Sequence, residues 1–289
     1  MSASADAANQ VKTLAADVQR TVLAALVEDI GGGDLTALLT PGGRRARGTV
    51  VSREDAVLAG CAWFDACFAQ LDAGARVEWM THDGAAVRAG QTLCRIEAET
   101  RALLTAERAA LNFLQLLSGT ATVTRRFVDA VAGTGAKIVD TRKTLPGLRL
   151  AQKYAVTCGG GGNHRLGLYD GILIKENHII AAGGVGAALA RAQQLAHGGV
   201  FVQIEVETLD QLVEALDAGA RMVLLDNMTL EQMREAVRVN DGRSLLEASG
   251  GVNLQTVRGI AETGVDRISV GSLTKDVRAI DLSLRHSES

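Results

Sequence analysis

A chain of 289 residues is long for one small domain and short for three, and 47% hydrophobic with 22% charged residues suits a folded protein with a substantial core. The formal net charge of −3 excludes a general attraction to nucleic acid or to an anionic membrane, so an anionic ligand must be held by a local cluster of bases. Aromatic residues make up only 3%, which predicts an aliphatic core of Ala, Val, Leu and Ile.

The opening MSASADAANQVK lacks the basic start and apolar run of a secretory signal. No stretch reaches the ~18 uninterrupted apolar residues of a membrane span, so a cytoplasmic protein is expected. A helical segment over Val11–Val27 precedes a glycine-rich turn, Glu28–Asp34 (EDIGGGD). Strand-like segments follow at Ala46–Val51 and Val77–Met80, with a helix over Ala62–Leu71 between them. Gly84–Glu97 resembles the strand–turn–strand piece of a lipoyl-type hammerhead; a carrier needs a lysine at the hairpin tip and none is there, so the stretch reads as structural. A long helix, Ala106–Val131, leads onward. Cys61, Cys67, Cys94 and Cys158 form no CxxC pair and no Cys/His metal pattern, which predicts free buried thiols, with Cys158 as a filler.

Further along, short β-rich runs recur at Ala136–Asp140, Gly171–Lys175, Phe201–Val206, Arg221–Asp226, Leu245–Ser249 and Arg267–Gly271. Helical patterns at Ala187–His197, Leu209–Ala218, Leu230–Val239 and Leu254–Thr263 separate the later ones. Each helix closes near a glycine (Gly198, Gly219, Gly242, Gly264), the residue suited to a left-handed cap. Alternation at this spacing means βα units around a parallel sheet, and runs that look apolar on both faces suit barrel strands. The expected fold is α/β: an incomplete (β/α) barrel over 119–275 and a smaller N-terminal α/β domain over 1–118, with the tail 276–289, including the Ala279–Leu284 run, packing on the latter.

The residues that end the strands carry the chemistry. They are Asp140-Thr-Arg-Lys, Lys175, Glu205, Asp226, Ser249-Gly-Gly and Val270-Gly-Ser, and barrels place their active sites at these C-terminal strand ends. Arg142, Lys143, His164, Arg165 and Lys175, with Arg108 upstream, form the densest basic cluster. Arginine forks match carboxylates two hydrogen bonds at a time, and lysine offers a compact charge for phosphate. Surface exposure is the ordinary fate of any one such base, but Lys175 closes the apolar run GILIK. Glu205 and Asp226 end successive strands; their oxygens suit a divalent cation carried by a phosphorylated substrate, ribose hydroxyls, or a counter-ion role toward Lys175. Ser249–Gly251 and Val270–Ser272 follow the last two strands, where glycine lets backbone N–H groups approach a phosphate. The Gly159–Gly162 run has no GK[ST] after it, so it is not a phosphate loop and reads instead as freedom for His164 and Arg165 to swing against a ligand.

The segments ERAALNFLQLLSG, DTRKTLPGLR, QKYAVTCGGGGNHRLGLYDGILIKENH, IEVE, LLDNM, LEASGG and SVGSLTK together resemble the quinolinate phosphoribosyltransferases, the carboxylating nicotinate-nucleotide pyrophosphorylases, which are type II phosphoribosyltransferases. The similarity runs from EDIGGGDLT to the last strand; Gly162, which extends the usual glycine triplet, and Lys275-Asp276 depart from the pattern. The resemblance implies quinolinate and 5-phosphoribosyl 1-pyrophosphate as substrates, Mg²⁺ or Mn²⁺ as the only cofactor, and a homodimer (or a higher assembly) with shared sites. It implies that Thr141, Arg142, Lys143, His164, Arg165 and Lys175 surround quinolinate and phosphate, with Arg108 supplied by the neighbouring chain. It also implies that Glu205 and Asp226 meet ribose and metal, that Ser249, Gly250, Gly251, Val270, Gly271 and Ser272 meet phosphate, and that Lys143, Lys175, Glu205 and Asp226 take part in catalysis.

Three other readings stay open on the residues alone: a Schiff-base aldolase with Lys175 as nucleophile, a silent binding relative, and a pyridine phosphoribosyltransferase with another acceptor.

Overall fold

The computed structural model describes residues 3–288; Met1, Ser2 and Ser289, at the outer ends of the expected first domain and tail, lie outside them. The chain divides into two compact units. One comprises 1–123, 144–160 and 276–289; the other comprises 124–143 and 161–275. Residues 144–160, which the expected boundaries give to the barrel, therefore group with the first unit.

In the first unit, α1 (Ala3–Ile30) is followed by β1 (Arg45–Ser52), β2 (Ala56–Val57), α2 (Cys61–Leu71), β3 (Arg76–Trp79), β4 (Ala86–Val87), β5 (Thr92–Glu99) and the long α3 (Thr100–Ala130). Buried Val18, Val22 and Leu26 recur every four residues, so they form one stripe of α1. Trp63 in α2 donates its indole N–H to Thr21 on that stripe at 3.0 Å. Strands β4 and β5 form the expected strand–turn–strand but not a hairpin: β4 pairs with β2, while β5 pairs with β1 and β3.

The core of this unit is chiefly Ala, Val, Leu and Ile, as expected, with a small group of rings set into it. Trp63, Phe64 and Phe68 are fully buried, and Phe64 meets Phe68 and Trp79 at centroid distances of 5.0 and 5.4 Å. A low aromatic count still permits such a cluster when the few rings gather in one place. Truncating such a ring to alanine costs ~3–5 kcal/mol. All four cysteines are free; Cys67 and Cys94 are buried, whereas Cys61 and Cys158 are only partly so. Burial pushes the Cys158 thiol up to about 11, which suits a filler and not a nucleophile.

The barrel continues the chain order: β6 (Lys137–Val139), α4 (Arg149–Cys158, in the first unit), β7 (Gly171–Ile174), α5 (Glu176–Ala182), α6 (Val185–Leu195), β8 (Phe201–Val206), α7 (Leu209–Asp217), β9 (Met222–Asp226), α8 (Leu230–Asn240), β10 (Leu245–Ser249), α9 (Val257–Ala261), β11 (Arg267–Ser269) and α10 (Ser272–Lys275). Its six strands lie in the order β6-β11-β10-β9-β8-β7, all parallel, with β6 and β7 as edges, so the barrel is incomplete. Thr229 and Gln232 close a reciprocal capping box at the start of α8. Gly198, Gly219, Gly242 and Gly264 all adopt positive φ just beyond their helices, as expected. The last strand, β12 (Leu282–Glu288), pairs antiparallel with β1 and completes a four-stranded sheet, β12-β1-β5-β3. Among the described residues no helix is long and apolar enough to cross a membrane.

A carboxyl lies against this ring cluster. Asp65 accepts the Trp79 indole N–H at 2.9 Å, and burial raises its pKa to about 6. The folded state therefore binds a proton that the unfolded chain releases nearer pH 4, so the contribution of this group falls as pH rises through that interval. Asp65→Asn keeps the acceptor and removes the charge. Partial solvent contact reduces the effect, and we expect the variant to gain about 1–2 kcal/mol at pH 8. The gain should vanish as pH falls toward 4, as read from urea midpoints; equal midpoints at pH 8 would contradict the account.

Candidate functional site

One hydrogen bond orients the whole barrel. Gln203 Nε2 on β8 donates to Glu247 Oε2 on β10 at 3.2 Å, although β9 lies between those strands. Both side chains must therefore reach across the inner, concave face. Side chains alternate along a strand, so every residue two positions away from these shares that face. Gln203 pairs in register with Leu173, and Glu247 with Leu224 and Arg267. Counting on by two puts Lys175, Glu205, Asp226, Ser249 and Ser269 on the inner face, at or near the C-terminal ends of five strands.

The electrostatics follow from that placement. Lys175 Nζ lies 2.5 Å from Glu205 Oε2, so Glu205 is the counter-ion of Lys175 in the free protein. Asp226 Oδ2 accepts from Asn227 Nδ2 at 2.8 Å. Glu205 Oε1 and Asp226 Oδ1 make no hydrogen bond among the described residues, which leaves two carboxylate oxygens for hydroxyls or a cation. No three His, Cys, Asp or Glu side chains gather as a metal cage among the described residues. The two open oxygens therefore fit a cation that arrives with a phosphorylated ligand.

Arg142 and Arg165 approach one another. Burial first, and then the neighbouring Arg142 charge, hold Arg165 below its ordinary pKa; it remains a cation, but one for which an anion is favourable. Its Nη1 donates to the Gly171 carbonyl at 3.0 Å, while Arg142 Nε is buried without a partner. Fully buried Asp140 anchors the segment that carries Arg165. Its Oδ2 accepts from Asn163 Nδ2 at 2.7 Å and its Oδ1 from the His164 N–H at 2.8 Å. Gly162 is bound to β6 through Ile138 and Asp140, so this stretch is clamped and not the swinging segment that the glycine run suggested.

His164 departs from the basic cluster in the same way. It is 8% exposed, with Nε2 at 2.8 Å from Gln203 Oε1, and its ring meets Phe201 edge-on. Arg108 lies on α3 in the first unit and, with Arg20, Glu28, Asp29, Asn112 and Phe113, lines a cavity of about 390 Å³.

Thr141 and Lys143 flank Gly271. A Cβ at Gly271 would lie 3.0 Å from Lys143 Cδ and 3.7 Å from Thr141 Oγ1, and Thr274 Oγ1 donates to the Lys143 carbonyl at 2.7 Å. Val270 adds no donor: its side chain is buried and its N–H bonds to Val139 at 2.9 Å. Gly271 and Ser272 remain as candidate phosphate contacts in that turn. At the other turn Gly250 has φ +101 and Gly251 has φ +60. Asn227, itself at φ +53, packs its amide against Gly250.

Sequence reasoning missed Gln203, Asn227 and Glu247, and it singled out Asp140 only as a strand end, not as the anchor of Asn163 and His164. Gln203 and Glu247 were visible as polar residues inside apolar runs. The left-handed Asn227 left no sequence signal beyond being an asparagine.

Residues 34–118 match the family model described as quinolinate phosphoribosyl transferase, N-terminal domain, and residues 120–285 match that of its C-terminal domain. A carboxylating nicotinate-nucleotide pyrophosphorylase of Mycobacterium leprae is 47% identical over 274 residues, covering 91% of this chain and 95% of the relative. The solved nicotinate-nucleotide pyrophosphorylase of Francisella tularensis superposes with a TM-score of 0.91 at 44% identity, covering 94% of this chain and 97% of that one. NadC from Streptococcus pyogenes gives 0.91 at 38% identity with the same coverage.

The two adjacent glycines differ in what surrounds them. A Cβ at Gly250 would sit 2.1 Å from Asn227 Oδ1 and 3.0 Å from the Asn227 nitrogen, whereas nothing lies within 4 Å of one at Gly251. Gly251→Ala should therefore cost only the ~1–2 kcal/mol of left-handed backbone. Gly250→Ala adds overpacking of another ~1–3 kcal/mol. Denaturation midpoints in which the two variants are equal would contradict this packing.

Proposed function

The chain belongs to the quinolinate phosphoribosyl transferase family, and we propose that the inner C-terminal end of its barrel is where the family's reaction is carried out. The chain is a pentosyltransferase of the carboxylating nicotinate-nucleotide pyrophosphorylase type. It joins quinolinate to 5-phosphoribosyl 1-pyrophosphate and releases nicotinate mononucleotide, CO₂ and pyrophosphate, a step toward NAD. The observation that carries the site assignment is the shared inner face of Lys175, Glu205, Asp226 and Ser249 at the ends of four adjacent strands.

In this reading Arg142 and Arg165 hold the two quinolinate carboxylates, with Thr141 and His164 beside them. Neutralisation by the acceptor relieves the Arg142–Arg165 repulsion, so the acceptor is drawn into a fixed pose. Lys143 and Lys175 meet donor phosphates, and Gly250, Gly251, Gly271 and Ser272 offer backbone N–H groups to the 5′-phosphate. The C1–oxygen bond of the donor breaks with its electron pair leaving on pyrophosphate. Glu205 and Asp226 stabilise the positive charge that develops on the ribose. The pyridine nitrogen lone pair then forms the new bond to C1, which makes alignment of two anions the chief catalytic task. With the ring nitrogen positive, the C2–carboxylate bond breaks, its electron pair stays on C2, and a proton replaces CO₂. Glu205 and Asp226 would hold Mg²⁺ or Mn²⁺, which would supply charge neutralisation for the departing pyrophosphate.

We place the enzyme in the cytoplasm as a homodimer, with Arg108 completing the partner's site. Arg108 lies on the first unit, on a helix that precedes every barrel strand.

The decisive assay offers quinolinate and the phosphoribosyl donor and follows nicotinate mononucleotide. Nicotinate should be used poorly, because a single carboxylate leaves guanidinium charge unpaired in the pocket; comparable turnover of nicotinate would sink the assignment. Excess chelator should abolish turnover without lowering the unfolding midpoint, and full turnover in chelator would remove the metal from the scheme.

The shared site has its own test. Arg108→Ala and Lys175→Ala should each be inactive alone. Random subunit exchange makes half the dimers mixed, and each mixed dimer has one intact site, so about a quarter of all sites recover. Background activity after exchange, confirmed by an independent label, would place Arg108 in its own chain's site.

A further inference from the structure

Beneath the strand ends lies a buried polar chain whose inner members, Gln203 and Glu247, the reaction scheme does not use. Arg165 donates its backbone N–H to His164 Nδ1 at 2.8 Å. His164 Nε2 lies 2.8 Å from Gln203 Oε1, and Gln203 Nε2 donates to Glu247 Oε2 at 3.2 Å. Arg267 Nε stands 3.4 Å from the same Glu247 oxygen. Gln203 and Glu247 are fully buried, and Glu247 Oε1, 3.7 Å from His164 Nε2, has no hydrogen-bond partner. Polar groups so deep in a barrel are costly unless they are paired, and a purely structural solution would be an aliphatic interior like that of the neighbouring strand positions.

The chain has a direction. A carboxylate accepts only, so Gln203 must turn its NH₂ toward Glu247 and its carbonyl toward His164. That carbonyl in turn requires a hydrogen on His164 Nε2, which leaves Nδ1 as the acceptor for the Arg165 N–H. We propose that Gln203 and Glu247 are positioning residues for acceptor recognition. They lock His164 as its Nε2–H tautomer, and His164 through Nδ1 sets the backbone direction from which the Arg165 guanidinium leaves toward the acceptor carboxylate. Asp140 holds the His164 backbone from the other side, through the His164 N–H at 2.8 Å. Together these bonds fix Arg165 before any ligand arrives, so less ordering is needed on binding.

The kinetic part of this proposal rests on the acceptor role given to Arg165; the tautomer part does not. Nitrogen-15 spectra of histidine-labelled enzyme read the tautomer directly, with the His164 signal assigned by its loss in His164→Asn. In the unmodified protein we expect Nε2 protonated and Nδ1 bare; a protonated Nδ1 overturns the proposal without recourse to any variant. Gln203→Met keeps the volume and removes both hydrogen bonds. It should give a mixed tautomer and raise the quinolinate KM about tenfold or more, with the KM for the phosphoribosyl donor little changed. Glu247→Gln, which still offers an acceptor to Gln203, should keep the tautomer and recover most of that loss. An unaltered tautomer and quinolinate KM in folded Gln203→Met overturns the proposal. If instead the tautomer shifts and the quinolinate KM does not, the hydrogen-bond chain stands while the placing of Arg165 on the acceptor fails.

Discussion

In a parallel sheet with one concave face, residue parity decides what can meet. Once Gln203 and Glu247 bond across β9, every second residue of the flanking strands is committed to the interior. A one-residue slip of β8 would turn Gln203 and Glu205 outward together and bring apolar Ile204 to the mouth. The buried polar chain and the charged side chains at the strand ends are thus not separate features. They are lower and upper layers of the same columns, and the hydrogen bonds below set the register that the charges above depend on.

The charges themselves are arranged as an unfinished set. Lys175 has Glu205, whereas Arg142 and Arg165 stand near each other with partial burial, and Asp170 offsets only part of the effect on Arg165. Gathering two guanidinium groups away from water is unfavourable in the free protein and is offset only when an anion binds. The protein tolerates this because the backbone under Arg165 is held from two sides, by Asp140 and by His164. Asn227 likewise keeps an unfavourable left-handed backbone at φ +53, beside Gly250, for which positive φ costs little.

Much of this was legible in the residues. The βα alternation and the glycines beyond each helix specify the parallel sheet. The strand-end positions of Lys175, Glu205 and Asp226 were visible because a charged residue closing an apolar run is anomalous. What escaped was the interior. Reading β8 and β10 as apolar on both faces passed over Gln203 and Glu247, whose partners are remote in sequence and cannot be found by periodicity. His164 looked like one more base because composition records charge and not burial. The ring cluster within the aliphatic core escaped for a related reason, since a percentage averages over a chain whose rings gather in one unit. The glycine run suggested mobility, but the ladder between Gly162 and β6 removes it.

The central claim is that two guanidinium forks held by the barrel recognise a dicarboxylate. Calorimetric titration of quinolinate into the wild-type protein and into Arg165→Lys tests it without relying on turnover. The variant keeps the charge and loses the planar fork. The account predicts affinity lower by roughly 30-fold to 150-fold, the ~2–3 kcal/mol of a charge-assisted pair. Equal affinity in the two proteins, both shown to be folded, would contradict it.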